Sequence, residues 1–129
     1  MLNVTELNVS YGASQALYNV DMSADIGKVT CVLGRNGVGK TTLMKALSGH
    51  LSPGSGEIEW NGKSLNKLAP YDRAKQGIAY VPQGRDILPQ LTVEENLQTA
   101  FSGVPRAQRF IDPEVFSLFP VLQQMLKRR

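Results

Sequence analysis

One glycine-rich stretch, GRNGVGKTT at residues 34–42, constrains this 129-residue chain more than any other feature. Its spacing matches G-x-x-x-x-G-K-[ST] through Gly34, Gly39, Lys40 and Thr41. The short apolar run KVTCVL precedes it, and the run GKTTLMKALSGH, with apolar residues at helical spacing, follows it. This order predicts a buried strand over 28–33, a tight loop, and a helix of about three turns that stops at Gly49.

The glycine loop has a physical reason to bind phosphate. Glycines let successive backbone N–H groups point inward and form an anion-binding nest. The free N–H groups at the start of the following helix face the same point. Lys40 can then reach the β- and γ-phosphates, and the Thr41 hydroxyl can ligate Mg²⁺. Since background residue frequencies make a chance match rarer than roughly one in a hundred, we predict that the loop binds a nucleoside phosphate.

The residues around the loop predict strands. LNVTELNVSY alternates between apolar and polar residues with a phase slip near Glu6, and ALYNVDMSAD alternates again after a turn at 12–13. SPGSG, 52–56, is a loop by composition, and EIEWNGKSL then forms a hairpin at Asn61–Gly62. IAYVP, 78–82, is a further short apolar strand. Within KVTCVL, Cys31 is expected to be a small buried hydrophobe rather than a reactive thiol.

Helices are predicted for the rest of the chain. PYDRAKQG has Pro at the first helical position and Gly after its end. QGRDILPQ is a loop. Thr92 and Glu95 have the spacing of a capping box. Asp112 followed by Pro113 opens a further helix, which Pro120 must kink or restart.

Composition excludes several classes of protein. No apolar run approaches the ~18 residues needed to span a bilayer, and the N-terminus has no basic region typical of a signal peptide, so we expect a cytoplasmic protein. The net charge of +3 is mild and comes largely from the last three residues, 127–129. No basic stripe with interleaved aromatics is present, so no nucleic-acid partner is predicted.

The stretch GRNGVGKTTLMKALSG resembles the Walker A region of ATP-binding-cassette (ABC) transporter ATPases. The resemblance implies ATP and Mg²⁺ as cofactors. It also implies a set of nucleotide-binding residues: Tyr11, Gly34, Asn36, Gly37, Val38, Gly39, Lys40, Thr41 and Thr42. Tyr11 stands where the family has an aromatic that stacks on adenine, although a lone Tyr at a strand end more often simply packs.

A second segment, YVPQ at 80–83, resembles the family's Q-loop. The resemblance implies that Gln83 reaches the Mg²⁺ and the attacking water, which makes Lys40 and Gln83 the catalytic candidates and Thr41 and Gln83 the metal ligands. Without the family, Gln83 is only a loop residue after a strand. ILPQLTVEENL resembles the segment that starts the helical subdomain and faces the membrane subunits. The similarity is greatest to branched-chain amino-acid and urea importers, with the urea type as the first hypothesis.

The implied fold class is α/β, the P-loop nucleoside triphosphate hydrolase fold of an ABC cassette in incomplete form. Its parts are an antiparallel β-subdomain, the P-loop strand and helix, the Q-loop strand and the start of the helical subdomain. Because a full cassette runs roughly 230 residues as one domain, residues 1–129 are expected to be the N-terminal half of one nucleotide-binding domain. About 1–83 is its β-subdomain, P-loop core and Q-loop strand, and about 84–129 is the Q-loop exit and the start of the helical subdomain.

The family's LSGGQ signature, Walker B strand, catalytic Glu and switch His do not occur in these residues. We therefore expect an importer's ATP-binding subunit, an ATP hydrolase in its parent family, that in this form binds ATP or ADP with little or no hydrolysis. In the intact transporter its partners are a second cassette and membrane permease subunits, which hold it on the inner face of the cell membrane. Strand edges exposed at 29–33 and 78–82 predict a homo-oligomer. Two alternatives stay open: a non-catalytic nucleotide-binding interaction protein, and a small P-loop kinase.

Overall fold

A computed structural model of the chain describes residues 1–84 and 86–129. It divides into two compact units, 1–81 and 82–129. Within the described residues, the first unit holds all the strands and two helices, and the second holds only helices. Arg85, inside the predicted loop QGRDILPQ, lies outside the described residues. None of the described helices combines the length and the apolar character needed to cross a membrane.

The first unit is built on a four-stranded antiparallel sheet. Its strands are β1 (Leu2–Tyr11), β2 (Ser14–Ala24), β3 (Ser55–Trp60) and β4 (Lys63–Ser64), in the order β2-β1-β3-β4. The predicted turns at 12–13 and at Asn61–Gly62 join the two hairpins. The predicted loop at 52–56 is shorter than expected, because Ser55 already begins β3.

The phase slip predicted near Glu6 is a real irregularity of the sheet. The pairing of β1 with both neighbours shifts register beyond Val4 and Thr5, and Glu6 has a left-handed backbone with φ 47°. The Asn8 side-chain amide donates to the Glu6 carbonyl oxygen at 2.8 Å. An extra residue at this point restores the alternation, so that Leu7 and Val9 return to the buried face.

The helix after the glycine loop packs into the same core as the sheet. It is α1 (Lys40–Leu47), shorter than the predicted three turns, and the predicted stop at Gly49 has a left-handed backbone. The core consists of the apolar residues that are almost fully buried: Val4, Leu7, Val9, Leu17, Leu43, Ala46, Ile58 and Leu65. Burying each larger side chain of this kind stabilises the fold by about 1.5–3 kcal/mol.

The remaining helices are short. They are α2 (Pro70–Lys75) in the first unit and α3 (Val93–Gln98), α4 (Pro113–Leu118) and α5 (Pro120–Met125) in the second, with 3₁₀ turns at Thr99–Gly103 and Arg106–Gln108. The predicted capping box is present, since Glu95 N donates to Thr92 Oγ1 at 3.2 Å and Thr92 N donates to Glu95 Oε2 at 2.7 Å. Asp112 caps α4, and Pro120 restarts the chain as α5, both as predicted.

Two predicted strands are wrong: 28–33 and 78–82 have no strand in the structure. The segment 28–33 is exposed, with Val29 at 91% and Leu33 at 89% exposure, whereas 78–82 is mixed, since Val81 is 90% exposed and Ile78 packs partly against the core. Cys31 is also exposed, so the prediction that it is buried is wrong. The physical reason is that a strand of this kind needs a paired neighbour and cover on both faces, and no strand among the described residues pairs with either segment.

Candidate functional site

The glycine loop leads directly into α1, which begins in an unusual way. Gly39 is the residue before the helix and has a left-handed backbone with φ 98°. The first intrahelical bond runs from Leu43 N to the Gly39 carbonyl oxygen at 2.8 Å. Because glycine has no side chain to accept them, the N–H groups of the first turn are not capped by their own N-cap residue. They are therefore available to an anion.

The backbone of β2 fixes the start of α1. A Cβ atom at Gly39 would lie 2.6 Å from Leu17 Cδ2 and 3.0 Å from the Ala16 carbonyl oxygen. The first distance would force the Leu17 side chain to move and the second is tight for a backbone atom, so glycine is favoured where the helix starts this close to the sheet. The position of the loop is thus set by tertiary packing and not only by its own sequence.

Lys40 places its charge at the loop. Its ammonium donates to the carbonyl oxygens of Gly34 and Arg35, each at 2.7 Å. These two charge-assisted bonds tie the first residue of α1 to the first residues of the loop. The loop backbone and the positive charge needed to attract an anion are therefore in one place.

The other predicted site residues of the first unit surround this loop. Asn36, Gly37 and Val38 are exposed within it, and Thr41 is exposed in the first turn of α1. Thr42 is buried, with 7% exposure. Tyr11, at the end of β1, comes close to the same turn, because its hydroxyl lies 3.4 Å from Thr42 Oγ1. The fold thus brings together residues that are 31 positions apart.

Gln83 belongs to the second unit, whereas the glycine loop belongs to the first. Gln83 is exposed and follows the segment 78–82, which forms no strand. Among the described residues, no group of three or more His, Cys, Asp or Glu side chains is arranged to hold a metal ion. The Thr41 hydroxyl, which the motif implies as a magnesium ligand, offers an oxygen atom of the kind that a hard cation takes. The role of Gln83 is implied by the resemblance alone.

Sequence reasoning missed Arg73, which is buried with only 1% of its surface exposed. Its guanidinium donates to the carbonyl oxygens of Ala46 and Leu47, at the end of α1, and to that of Leu68. Burial lowers the pKa of this group, but arginine begins so high that it keeps its charge. The local sequence held no signal for this role, because an arginine in a short helix is usually exposed.

Comparison with known proteins shows which family has a similar sequence. Residues 17–127 match the family model described as "ABC transporter". The chain is 37% identical, over its whole length, to the probable branched-chain amino acid transport ATP-binding protein LivF of Archaeoglobus fulgidus, and covers 55% of that protein. It is 35% identical to the high-affinity branched-chain amino acid transport ATP-binding protein BraG of Pseudomonas aeruginosa, again over its whole length and 56% of the relative.

The structural similarity agrees. The solved structure of an ATP-binding subunit of an ABC transporter superposes on 98% of the chain with a TM-score of 0.80 and 31% identity, and the chain covers 53% of it. The chain spans about half the length of the curated relatives it matches. It belongs to the ABC transporter family. The resemblance to ABC transporter ATPases is thereby confirmed, as is the incomplete P-loop fold of this class of ATPases.

Proposed function

We propose that this chain is the nucleotide-binding portion of the ATP-binding subunit of an ABC importer, and that it binds Mg²⁺–ATP through residues 34–42. The observation that carries the proposal is the start of α1. There, Gly39 leaves the first-turn N–H groups without a side-chain cap while Lys40 places an ammonium at the same loop. An uncapped helix start beside a fixed cation is a binding site for phosphate.

Each site residue has a proposed role. The backbone of the loop and of the first turn of α1 holds the phosphates, through Gly34, Asn36, Gly37, Val38, Gly39, Lys40, Thr41 and Thr42. The exposed ring of Tyr11, held near Thr42, receives the adenine by stacking. Thr41 and Gln83 supply oxygen ligands for Mg²⁺, which when bound neutralises charge on the β- and γ-phosphates. Lys40 and Gln83 are the catalytic candidates.

We further propose that these 129 residues bind nucleotide with little or no hydrolysis. The motifs that the family uses to orient and activate the attacking water, apart from the Q-loop, are not in this sequence. A nucleotide-binding interaction protein without catalysis is then the second candidate. Measured release of phosphate over many turnovers, at the rate of a full cassette, would contradict this part of the proposal.

We propose that the transporter imports urea or branched-chain amino acids. Both relatives are named for branched-chain amino acid transport, which favours the second of these over the urea type. We propose that the protein is cytoplasmic and bound peripherally to the inner face of the cell membrane. There the partners would be a second cassette subunit and the membrane permease subunits.

The exposed apolar residues at 28–33 and 78–82 also support self-association. We propose that copies of this chain associate through these segments. Light scattering at increasing protein concentration is expected to show a mass above 14.1 kDa. Replacing both Val29 and Leu33 with lysine is expected to return it to that of the monomer, and a wild-type chain that stays monomeric would contradict the proposal.

Nucleotide binding is tested by calorimetric titration with Mg²⁺–ATP. Lys40→Ala removes the ammonium at the loop and is expected to weaken binding about 100-fold or more, since charge-assisted contacts to phosphate are lost. Lys45→Ala is the matched control, because Lys45 lies in the last turn of the same helix, and it is expected to bind like wild type.

Tyr11→Ala in the same titration is expected to weaken binding by about 5- to 100-fold through loss of stacking. Tyr11→Phe, which keeps the ring and loses the contact of the hydroxyl with Thr42, is expected to bind like wild type. If wild type shows no saturable binding, or if Lys40→Ala binds as well as Lys45→Ala, the proposed function is wrong.

A further inference from the structure

The guanidinium of Arg73 joins α2 to the far end of the P-loop helix. Its Nη1 donates to the carbonyl oxygens of Ala46 at 2.7 Å and Leu47 at 2.9 Å. Its Nε donates to the Leu68 carbonyl oxygen at 3.0 Å. Arg73 is the only buried residue of α2 and has 1% exposure. A buried cation therefore binds the last carbonyl groups of α1.

This contact is complementary to the helix end. The last four carbonyl groups of a helix have no partner within it, and they carry the negative end of the helix dipole. The backbone that follows α1 also passes close to Arg73, because a Cβ atom at Gly49 would lie 2.9 Å from Arg73 Nε. The local backbone thus encloses the guanidinium, so the arginine is part of how α1 ends.

We propose that Arg73 is a positioning residue for the phosphate-binding loop, an inference that rests on the proposed function. The helix α1 has eight residues and so is about 12 Å long. β2 holds its start at Gly39, and Arg73 holds its end. A rigid helix fixed at both ends points its first-turn N–H groups in one direction. Small misplacements of such groups weaken their action on a bound substrate strongly.

The first test measures Mg²⁺–ATP affinity by calorimetry. Arg73→Ala is expected to raise the dissociation constant by about tenfold or more, because α1 loses its fixed end. Guanidinium chloride at millimolar concentration is expected to fill the space left by the side chain and restore most of the affinity. Tetramethylammonium chloride at equal ionic strength is the control, since it is a cation that cannot donate these hydrogen bonds.

Two further variants separate positioning from general stability. Arg73→Lys keeps the charge but lacks the planar fork of donors, so an intermediate loss of about threefold is expected. Ile58→Val trims a fully buried side chain in β3 and lowers stability without touching the arginine's hydrogen bonds. It is expected to leave the dissociation constant within about twofold of wild type at temperatures where the fold is intact.

The second test needs no nucleotide. Hydrogen exchange of the Leu43 amide, whose bond to the Gly39 carbonyl oxygen closes the first turn of α1, reports the loop end of the helix. Arg73→Ala is expected to accelerate this exchange, guanidinium to reverse the change, and Ile58→Val to leave it near wild type. A merely local role for Arg73 would change only the amides at the other end of α1.

The outcomes distinguish this inference from the proposed function. If wild type does not bind nucleotide, the proposed function fails, and Leu43 exchange alone decides whether Arg73 positions the loop. If wild type binds and Arg73→Ala binds equally well, or guanidinium acts no better than tetramethylammonium, the positioning role is wrong while the proposed function stands. Should Arg73→Ala not fold, Arg73→Lys with unchanged affinity and unchanged Leu43 exchange would overturn the inference.

Discussion

The helices α1 and α3 begin in opposite ways. The start of α3 is closed by hydrogen bonds, because Thr92 and Glu95 form a capping box and the Val93 and Glu94 N–H groups donate to the carbonyl oxygens of Arg128 and Leu126. The start of α1 is formed by a glycine with left-handed backbone and has no such side chains. Burial is reversed as well: Thr42, Leu43 and Ala46 of α1 are buried, whereas none of the six residues of α3 is.

This contrast separates a helix start whose N–H groups have partners from a helix start whose N–H groups are open. In α3 the capping box occupies the Glu95 N–H group, and the Arg128 and Leu126 carbonyl oxygens occupy those of the two residues before it, so these donors are not open to an anion. In α1 those groups stay open, and contacts with β2 at one end and Arg73 at the other hold the helix instead. The open start of α1 is the feature expected of a ligand site, and the closed start of α3 is that of a structural helix.

The largest effect is expected from a substitution at the start of α1. Gly39→Ala adds a Cβ that meets Leu17 and the Ala16 carbonyl oxygen, in a backbone conformation that alanine disfavours. We expect a loss of about 2–4 kcal/mol in the free energy of unfolding, from strain and overpacking together. The single tryptophan, Trp60, lies in the same unit, so urea unfolding followed by its fluorescence measures the change. Binding of Mg²⁺–ATP is expected to be lost.

Gly37→Ala is the matched control for this variant. Gly37 also has a left-handed backbone, with φ 83°, but a Cβ there meets nothing within 4 Å. Only the conformational strain of about 1–2 kcal/mol is expected. If the two variants are equally stable, the close approach of β2 does not fix the start of α1, and the contrast with α3 loses its physical basis.

A smaller effect is expected at the start of α3. Thr92→Ala removes the side-chain half of the capping box and is expected to destabilise the helix by about 1 kcal/mol. Hydrogen exchange of the α3 amides measures this, with Thr99→Ala at the other end of the helix as control. Nucleotide affinity is expected to stay at the wild-type value. A loss of affinity in Thr92→Ala would show that the role of α3 is not only structural.

The sequence predicted both helix starts but not the contact that holds the far end of α1. The capping box is local, so Thr92 and Glu95 could be recognised from spacing alone, as could the G-x-x-x-x-G-K-T pattern and the stop at Gly49. Arg73 could not, because its partners on α1 are backbone carbonyls 26 and 27 residues away. The strands expected at 28–33 and 78–82 failed for a related reason. Apolar runs indicate burial, but a strand also needs a neighbour, which a local pattern does not contain.

The smallest expected effect is a pH dependence confined to α3. Hydrogen bonds from the Thr92 backbone and side chain lower the pKa of the Glu95 carboxyl. A lowered pKa in the folded state means that the stabilisation is present above the unfolded value of about 4.3 and is lost as the pH falls through the folded value. We therefore expect α3, and not α1, to lose protection from hydrogen exchange as the solution becomes more acidic than about pH 4.

A titration of the Glu95 side-chain carboxyl by carbon NMR tests this difference directly. Its midpoint is expected below the ordinary glutamate value of about 4.3, and Thr92→Ala is expected to raise it because both the hydroxyl contact and the geometry of the box are lost. Thr99→Ala is expected to leave it unchanged. A midpoint at or above the ordinary value would mean that the box does not favour the charged carboxylate. The start of α3 would then be closed by Thr92 and by the carbonyl oxygens of Arg128 and Leu126, and the two helices would differ less than their hydrogen bonds imply.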